Sequence, residues 1–203
     1  MRLLSPASPV AAPLAVAASL IAAAGPARAS YIVTFTQAGA DVVASGGDTI
    51  DTNGLTLDET GGDSPQVGPS VSAEATGAAG TVNAYQAVSG PSSFGPGGLT
   101  NATSGAGDLV GIDVSLGVRG FLYAPTGYVS GASLSDTATY ASQTFASLGL
   151  TPGSYVYSFG SGANADTFTI NVGAPVSAPE PASLAVFAGG VAGLLALRRR
   201  RTG

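Results

Sequence analysis

Between residues 30 and 173, apolar residues recur at every second position in short runs that glycines interrupt. The clearest runs are Tyr31 to Thr36, which is rich in β-branched and aromatic residues, and the pair Ser154 to Phe159 and Asp166 to Val172. A period of two is typical of a strand with one buried face, whereas a helix needs a period of about 3.6. Short strands between glycine-rich turns predict an all-β domain, an antiparallel β-sandwich of the jelly-roll type.

The same criteria predict the other elements of this domain. Further strands are predicted at Asp41–Ala44, Thr81–Val88, Asp108–Leu116 and Val118–Tyr123. Turns are predicted at Gly46-Gly47 and at Asn53-Gly54, and the second of these dipeptides is typical of a hairpin. Loops are predicted at Asp58–Ser70 and Ser89–Gly98, and Ala138–Leu148 is predicted to contain at most one short helical turn.

A local motif precedes the last pair of strands. The segment Leu150-Thr151-Pro152-Gly153-Ser154-Tyr155 resembles the L-x-P-G-x-Y turn that enters a late strand in many extracellular β-sandwiches. In a tyrosine corner the Tyr155 hydroxyl would bond to the backbone a few residues upstream. The alternative is a generic turn followed by a buried tyrosine, and neither interpretation implies catalysis.

The first 29 residues have the composition of a secretory signal peptide. Arg2 supplies a positive start, Leu14 to Ala24 form an apolar core, and Ala27-Arg28-Ala29 is a small-x-small cleavage site. Cleavage between Ala29 and Ser30 is therefore predicted. The alternative is an uncleaved anchor, which the three early prolines disfavour because they interrupt a long helix.

The last 25 residues contain three unlike elements in a fixed order. Pro179-Glu180-Pro181 cannot continue a helix or a sheet, so it predicts an extended and accessible segment. The uncharged run Ala182 to Leu197 has 16 residues and would span about 24 Å as a helix, which is short for a permanent membrane anchor. The cluster Arg198, Arg199, Arg200 and Arg201 resists crossing a bilayer and predicts a cytoplasmic end.

This tail resembles the PEP-CTERM sorting signal of Gram-negative bacteria. The resemblance covers Pro179 to Arg201 and implies recognition by an exosortase, processing near the Pro-Glu-Pro motif, and transfer to the cell surface or extracellular matrix. It also implies that the protein is anchored in the inner membrane only transiently. The alternative is an ordinary C-terminal membrane anchor.

The chain therefore divides into four predicted parts. They are a signal peptide (1–29), a β-sandwich domain (30–173), a proline-rich linker with the Pro-Glu-Pro motif (174–181), and a transmembrane sorting segment with the arginine cluster (182–201).

The charge of the exported part excludes one class of partner. Between residues 30 and 178 the net charge is about −10, because Arg119 is the only basic residue against eleven acidic ones. A phosphate backbone binds through lysine and arginine, so nucleic acid is excluded as a main partner.

The residue types that are missing exclude several kinds of chemistry. The chain contains no Cys, His, Lys or Trp. Without cysteine and histidine there are no disulfides, no thiol catalysis, no typical zinc or iron–sulfur site and no Ser-His-Asp triad. Without lysine there is no Schiff base. We therefore expect neither a cofactor nor an enzymatic activity, although paired carboxylates would still permit a glycosidase.

Acidic residues give one candidate metal site. Asp58, Glu59 and Asp63 flank Gly61-Gly62, and oxygen ligands on a flexible loop suit Ca²⁺. Their spacing does not fit the calcium-loop pattern, so a solvated acidic loop is the favoured interpretation. Asp48 and Asp51 would lie on opposite faces of a regular strand, which disfavours a shared metal.

Two surface motifs remain as minor candidates. Tyr123 and Tyr128 could form a platform on which a sugar stacks, although aromatic residues in such strands usually pack in the core. Asn101-Ala102-Thr103 matches an N-glycosylation sequon, which is a weak signal in a bacterium.

These observations predict an exported surface or matrix protein with a non-enzymatic structural or interaction role in an exopolysaccharide-rich envelope or biofilm. Its predicted partners are an exosortase for processing and, as a candidate, exopolysaccharide. The alternative is a carbohydrate-binding module on the same fold, and an enzyme is a weaker third possibility.

Overall fold

The computed structural model describes residues 30–114 and 120–173, whose regular structure is almost entirely extended. The strands in chain order are β1 (Ser30–Ala38), β2 (Asp41–Thr49), β3 (Thr56–Asp63), β4 (Gln66–Gly68), β5 (Ala73–Thr76), β6 (Gly80–Val88), β7 (Thr100–Asn101), β8 (Ser104–Gly107), β9 (Val110–Asp113), β10 (Gly120–Pro125), β11 (Ser133–Tyr140), β12 (Gly153–Phe159) and β13 (Asp166–Val172). A short helix, α1 (Phe145–Leu148), and two 3-10 turns, Pro69–Val71 and Gly162–Asn164, complete the described elements. The all-β prediction is confirmed.

The first sheet has the strand order β12-β13-β1-β2-β11-β8. Its pairs are antiparallel except β1 and β13, which run parallel. The prediction of a wholly antiparallel sheet is therefore wrong at this pair. Almost the whole domain connects β1 to β13, so no tight hairpin imposes opposite directions on these two strands.

The second sheet has the strand order β3-β6-β10-β9-β5-β4-β7. Residues of both sheets contribute to one buried cluster, with Tyr31, Val33 and Phe35 from β1 on one side and Ile112 and Leu122 on the other. The two sheets therefore pack face to face as a sandwich. Alternation explains the arrangement, because Ile32, between two fully buried residues of β1, is 41% exposed on the outside.

Glycines explain one wrong prediction. Gly46-Gly47 does not turn the chain, because β2 runs straight through both residues. A Cβ atom at Gly46 would collide with the Asp136 carboxylate and the Tyr31 hydroxyl. The glycine therefore serves a close approach of side chains rather than a turn.

The Asn53-Gly54 turn is present but does not close a hairpin. Gly54 has a positive φ of 75°, as turn glycines commonly do. However, β2 pairs with β1 and β11 in the first sheet, whereas β3 pairs with β6 in the second. The turn carries the chain from one sheet to the other.

The prediction that Asp58–Ser70 is a loop is wrong, because this polar stretch contains part of β3 and all of β4. β3 is the edge strand of the second sheet and most of its residues are exposed, so it shows no alternation of apolar residues. The predicted helical turn is displaced as well: Ala138 belongs to β11, and α1 begins only at Phe145. Ser89–Gly98 contains no named strand or helix, as predicted.

The parallel pair β1 and β13 separates the two ends of the domain. Ser30 lies opposite Thr167 at one end of the pair, and Phe35 lies opposite Val172 near the other. The Gly173 amide donates to the Phe35 carbonyl at 3.0 Å, which holds the C-terminal exit beside β1. At about 3.3 Å per residue, the start of β1 and the exit lie roughly 20 Å apart along the strand.

Candidate functional site

The outer face of the second sheet carries a pair of aromatic rings. Alternation along β10 buries Leu122 between the sheets and places Phe121 and Tyr123 on the outer face. Their ring centroids lie 6.5 Å apart and the ring planes differ by 20°. Both side chains are partly buried, so the stacked pair leaves part of its aromatic surface exposed on this face.

A groove lies beside Tyr123 on the same face, with a volume of about 200 Å³. Four acidic residues line it: Glu59 and Asp63 from β3, Asp113 from the end of β9, and Glu74 from β5, which is almost fully buried. Small residues also line it, namely Gly61, Gly62, Ala73, Ala75, Val82 and Ala84. Because these side chains are small, the middle of the sheet face is recessed between the acidic residues and Tyr123.

The groove is electrostatically negative. Burial and the nearby charges of Asp113, Asp63 and Glu59, in that order, raise the pKa of Tyr123 above its ordinary value. Its phenol therefore stays protonated at neutral pH and can donate a hydrogen bond. Within 30–114 and 120–173 no basic residue lies beside Glu59 or Asp63.

This combination suits an uncharged ligand with many hydroxyl groups. Carboxylate oxygens accept hydrogen bonds from hydroxyls, Gln66 offers an amide, and an aromatic face packs on the C–H groups of a sugar ring. An anionic ligand would be repelled by the groove. Asp63 is already positioned, because its Oδ1 accepts from the Ser64 amide at 2.8 Å and from Gln66 Nε2 at 3.1 Å.

The prediction that Tyr123 and Tyr128 form one platform is wrong, because Tyr128 lies elsewhere. Tyr128 lies in the connection after β10, where its hydroxyl accepts from the Ile50 amide at 3.0 Å and donates to the Ala132 carbonyl at 2.7 Å. Its ring packs against the core between the sheets, away from the groove. The partner of Tyr123 is Phe121, and the spacing of two residues within one strand is the sequence signal that could have identified it.

The predicted acidic loop is part of strand β3. Asp58 accepts a hydrogen bond from Gln86 on the neighbouring strand β6, while Glu59 and Asp63 line the groove. Across the described residues, no group of three or more His, Cys, Asp or Glu side chains is arranged to hold a metal ion. Sequence reasoning missed Asp113, because only the strand order brings β9 near β3.

Asp51 organises a loop at the end of the sandwich where β1 starts. Its Oδ1 accepts from the Asn53 amide at 2.9 Å, from Asn53 Nδ2 at 2.8 Å and from Ser130 Oγ at 2.8 Å. Partial burial raises the pKa of Asp51, but these hydrogen bonds outweigh it and hold that pKa below its ordinary value. Asp48 precedes it in β2 with a positive φ of 99°.

The tyrosine corner is confirmed. The Tyr155 hydroxyl donates to the Thr151 carbonyl, four residues upstream, at 2.9 Å. Asn101 of the predicted sequon is exposed in the edge strand β7, and its glycosylation stays a prediction.

Most targeting residues lie outside the described part of the chain. They are Ala29, Pro179, Glu180, Pro181, Arg198, Arg199, Arg200 and Arg201. Ser30, the predicted first residue after cleavage, is the first residue of β1, and its hydroxyl lies 3.1 Å from that of Thr167. Within 30–114 and 120–173, no helix is long and apolar enough to cross a membrane.

Comparison with known families identifies the C-terminal segment. Residues 177–201 match the PEP-CTERM protein-sorting motif, which spans the Pro-Glu-Pro element, the apolar run and the arginine cluster. Neither a curated protein nor a solved structure matches the chain. The predicted sorting motif is therefore confirmed: the chain carries the signal of an exported protein that an exosortase recognises and that is anchored in the membrane transiently before cleavage.

Proposed function

We propose that this chain is a non-enzymatic structural or interaction protein of the cell surface or extracellular matrix, in an envelope rich in exopolysaccharide. The observation that carries the proposal is the sorting motif at residues 177–201. An exosortase would cut near Pro179-Glu180-Pro181 and pass the β-sandwich to the cell exterior.

The position of the domain ends supports this role. β13 ends at Val172, and the five residues 174–178 connect Gly173 to Pro179. An extended chain of this length reaches about 20 Å. Cleavage at the Pro-Glu-Pro motif therefore removes no strand of the sandwich. The domain would leave the membrane folded.

The surface of the exported part also supports it. The excess of acidic over basic residues gives a body that repels its own copies, which favours solubility at high concentration outside the cell.

Paired strains with and without the exosortase test the main proposal. We expect mass spectrometry to find a mature C-terminus near Pro179, without the arginine cluster, at the surface or in the medium of the first strain only. As a control, an exported protein without the sorting motif should behave identically in both strains. Full-length protein retained in the membrane of both strains would contradict the proposal.

A specific observation favours carbohydrate binding as a second candidate function. The groove places Tyr123 beside the carboxylates of Glu59 and Asp63, and the ring of Phe121 lies next to Tyr123 on the same face. This is the chemistry that a neutral polysaccharide would use.

A polysaccharide pull-down tests this second function. Retention on a neutral exopolysaccharide should fall at least tenfold in Tyr123→Ala, because the stacking surface is lost. Val129→Ala is the matched control, since Val129 is 71% exposed in a loop and does not line the groove. Equal retention of both variants and the parent protein would show that the groove is not the binding site.

A further inference from the structure

Two acidic side chains are buried in the interior of the sandwich, and one of them belongs to Glu74, which also lines the outer groove. Glu74 extends inward from β5 of the second sheet, and Asp136 from β11 of the first. Glu74 is 1% exposed and Asp136 is 3% exposed. β5 and β11 contact each other across the gap between the sheets, and the charge of Asp136 acts on Glu74.

Oxygen atoms around this pair lack hydrogen-bond partners. Among the described residues, none donates to or accepts from Glu74 Oε1 or Oε2, Asp136 Oδ1, Thr76 Oγ1 or the Tyr140 hydroxyl. The Thr76 hydroxyl lies beside both carboxyls and lowers the pKa of each, although it makes no well-formed hydrogen bond with either. Burial, then the charge of Glu74, raises the pKa of Tyr140, the other buried hydroxyl without a partner.

Asp136 is held in place by its other oxygen. The Tyr31 hydroxyl donates to Asp136 Oδ2, while Oδ1 lies over the backbone of Gly46. The first sheet thus presents one positioned carboxylate oxygen and the Tyr140 hydroxyl, while the second sheet presents both oxygens of Glu74 and the Thr76 hydroxyl.

Such an arrangement is costly unless something compensates for it. An unpaired carboxylate in a dry interior loses its hydration, and a buried polar atom without a partner costs about 1–3 kcal/mol. No basic residue is present in 30–114 or 120–173 to pair with either carboxylate. A divalent cation would neutralise both charges and give the unpartnered carboxylate oxygens a partner.

We propose that Glu74, Asp136, Thr76 and Tyr140 form an interior site for a hard divalent cation, Ca²⁺, which links the two sheets. All the donors are oxygen atoms, which Ca²⁺ prefers, and two carboxylates balance its charge. Mg²⁺ is a poorer match, because it demands near-ideal octahedral geometry and gives up its water reluctantly. This site shares no side-chain ligand with the acidic strand residues Asp58, Glu59 and Asp63.

Terbium luminescence gives a direct test on the purified full chain in detergent. Tb³⁺ replaces Ca²⁺ in oxygen sites, and a nearby tyrosine sensitises its emission; the chain contains no tryptophan that would obscure this signal. We expect tyrosine-sensitised emission from one Tb³⁺ per chain that added Ca²⁺ displaces. Glu74→Gln and Asp136→Asn should each lower this emission at least tenfold, whereas Tyr140→Phe should reduce it partially.

A matched control separates this site from the surface acids. The double variant Glu59→Gln, Asp63→Asn removes two carboxylates of the outer groove and should leave the displaceable emission unchanged. If that double variant abolishes the emission while Glu74→Gln and Asp136→Asn retain it, the ion binds at the groove and the proposal is wrong.

Thermal unfolding keeps the test decisive if an interior variant fails to fold. At pH 7.5 the parent chain should melt several degrees higher with millimolar Ca²⁺ than with a chelator. An unchanged melting temperature together with no bound Tb³⁺ would overturn the proposal. A Glu74→Gln variant that melts higher than the parent chain both with Ca²⁺ and with chelator would also overturn the proposal. In that case the two carboxyls would be neutralised by protonation and not by an ion.

Discussion

The hydroxyl of Tyr31 on β1 donates to the carboxylate of Asp136 on β11, although a whole strand, β2, lies between them. The two side chains meet over Gly46 of β2, which stands opposite Asp136 in the strand register. Because Gly46 has no side chain, the phenol reaches across the central strand without obstruction. The glycine pair that resembles a turn in the sequence is therefore a requirement of this contact.

Gly46→Ala should destabilise the domain by about 2–3 kcal/mol, since the added methyl group overpacks the Tyr31–Asp136 contact. Gly61→Ala is the control, because it also lies in a strand but a Cβ atom there has no neighbour within 4 Å. Urea unfolding of both variants measures the difference. Equal stability of the two would show that Gly46 is not needed for the contact.

The interior carboxyls should give the metal-free protein an unusual pH dependence. Burial, then the charge of Asp136, raises the pKa of Glu74 well above its ordinary value, and burial raises the pKa of Asp136. Burial also raises the pKa of Asp166. The folded state therefore holds protons that the unfolded chain releases above about pH 4, so the free energy of unfolding falls as pH rises through the raised pKa values.

Melting temperatures between pH 4 and pH 8, measured in chelator, check this expectation. The parent chain should lose at least about 3 °C across the range, which is roughly the shift that 1 kcal/mol causes in a domain of this size. The double variant Glu74→Gln, Asp136→Asn should show a flatter profile. A parent chain that is most stable near pH 7 in chelator would contradict the assignment.

The strands that could be predicted from the sequence are those with one buried face and one exposed face. β1, β6 and the hairpin β12–β13 alternate clearly, and a turn motif identified Tyr155. β3 is exposed along most of its length, and all four residues of β5 are buried, so neither strand shows a period of two. Local pattern carries no signal for such strands.

The candidate groove could be predicted only in part, because strand order brings its residues together. Glu59 and Asp63 are conspicuous in the sequence, but Asp113 and Tyr123 join them only because β9 and β10 lie near β3 in the second sheet. Strand order arises from tertiary packing, which a single sequence does not encode locally. The interior pair was missed because Glu74 lies among small residues where an exposed acid would be expected.

The tyrosine corner should contribute measurably to stability. Tyr155→Phe keeps the ring, which packs against Phe94 at 5.9 Å between centroids, and removes only the hydrogen bond to Thr151. We expect a loss of about 1 kcal/mol in the free energy of unfolding. Tyr123→Phe serves as the control, since its hydroxyl faces the solvent-accessible groove, and should cost little. A Tyr155→Phe variant as stable as the parent chain would show that the corner contributes no net stability.

The length of residues 174–178, which connect the end of the sandwich to the Pro-Glu-Pro motif, should control processing. The chain between Gly173 and Pro179 reaches about 20 Å when extended. Deletion of residues 174–178 would bring the folded end of the sandwich, with the turn at Gly39 and helix α1, against the motif that the exosortase must reach. We expect the rate of conversion to the mature form, measured by pulse-chase labelling, to fall severalfold.

Replacing the same five residues with an equally long Gly/Ser segment should restore the rate, since it restores the length of the connection without restoring its sequence. If the deletion is processed as fast as the parent chain, the exosortase does not need a spacer and reach is not what residues 174–178 provide.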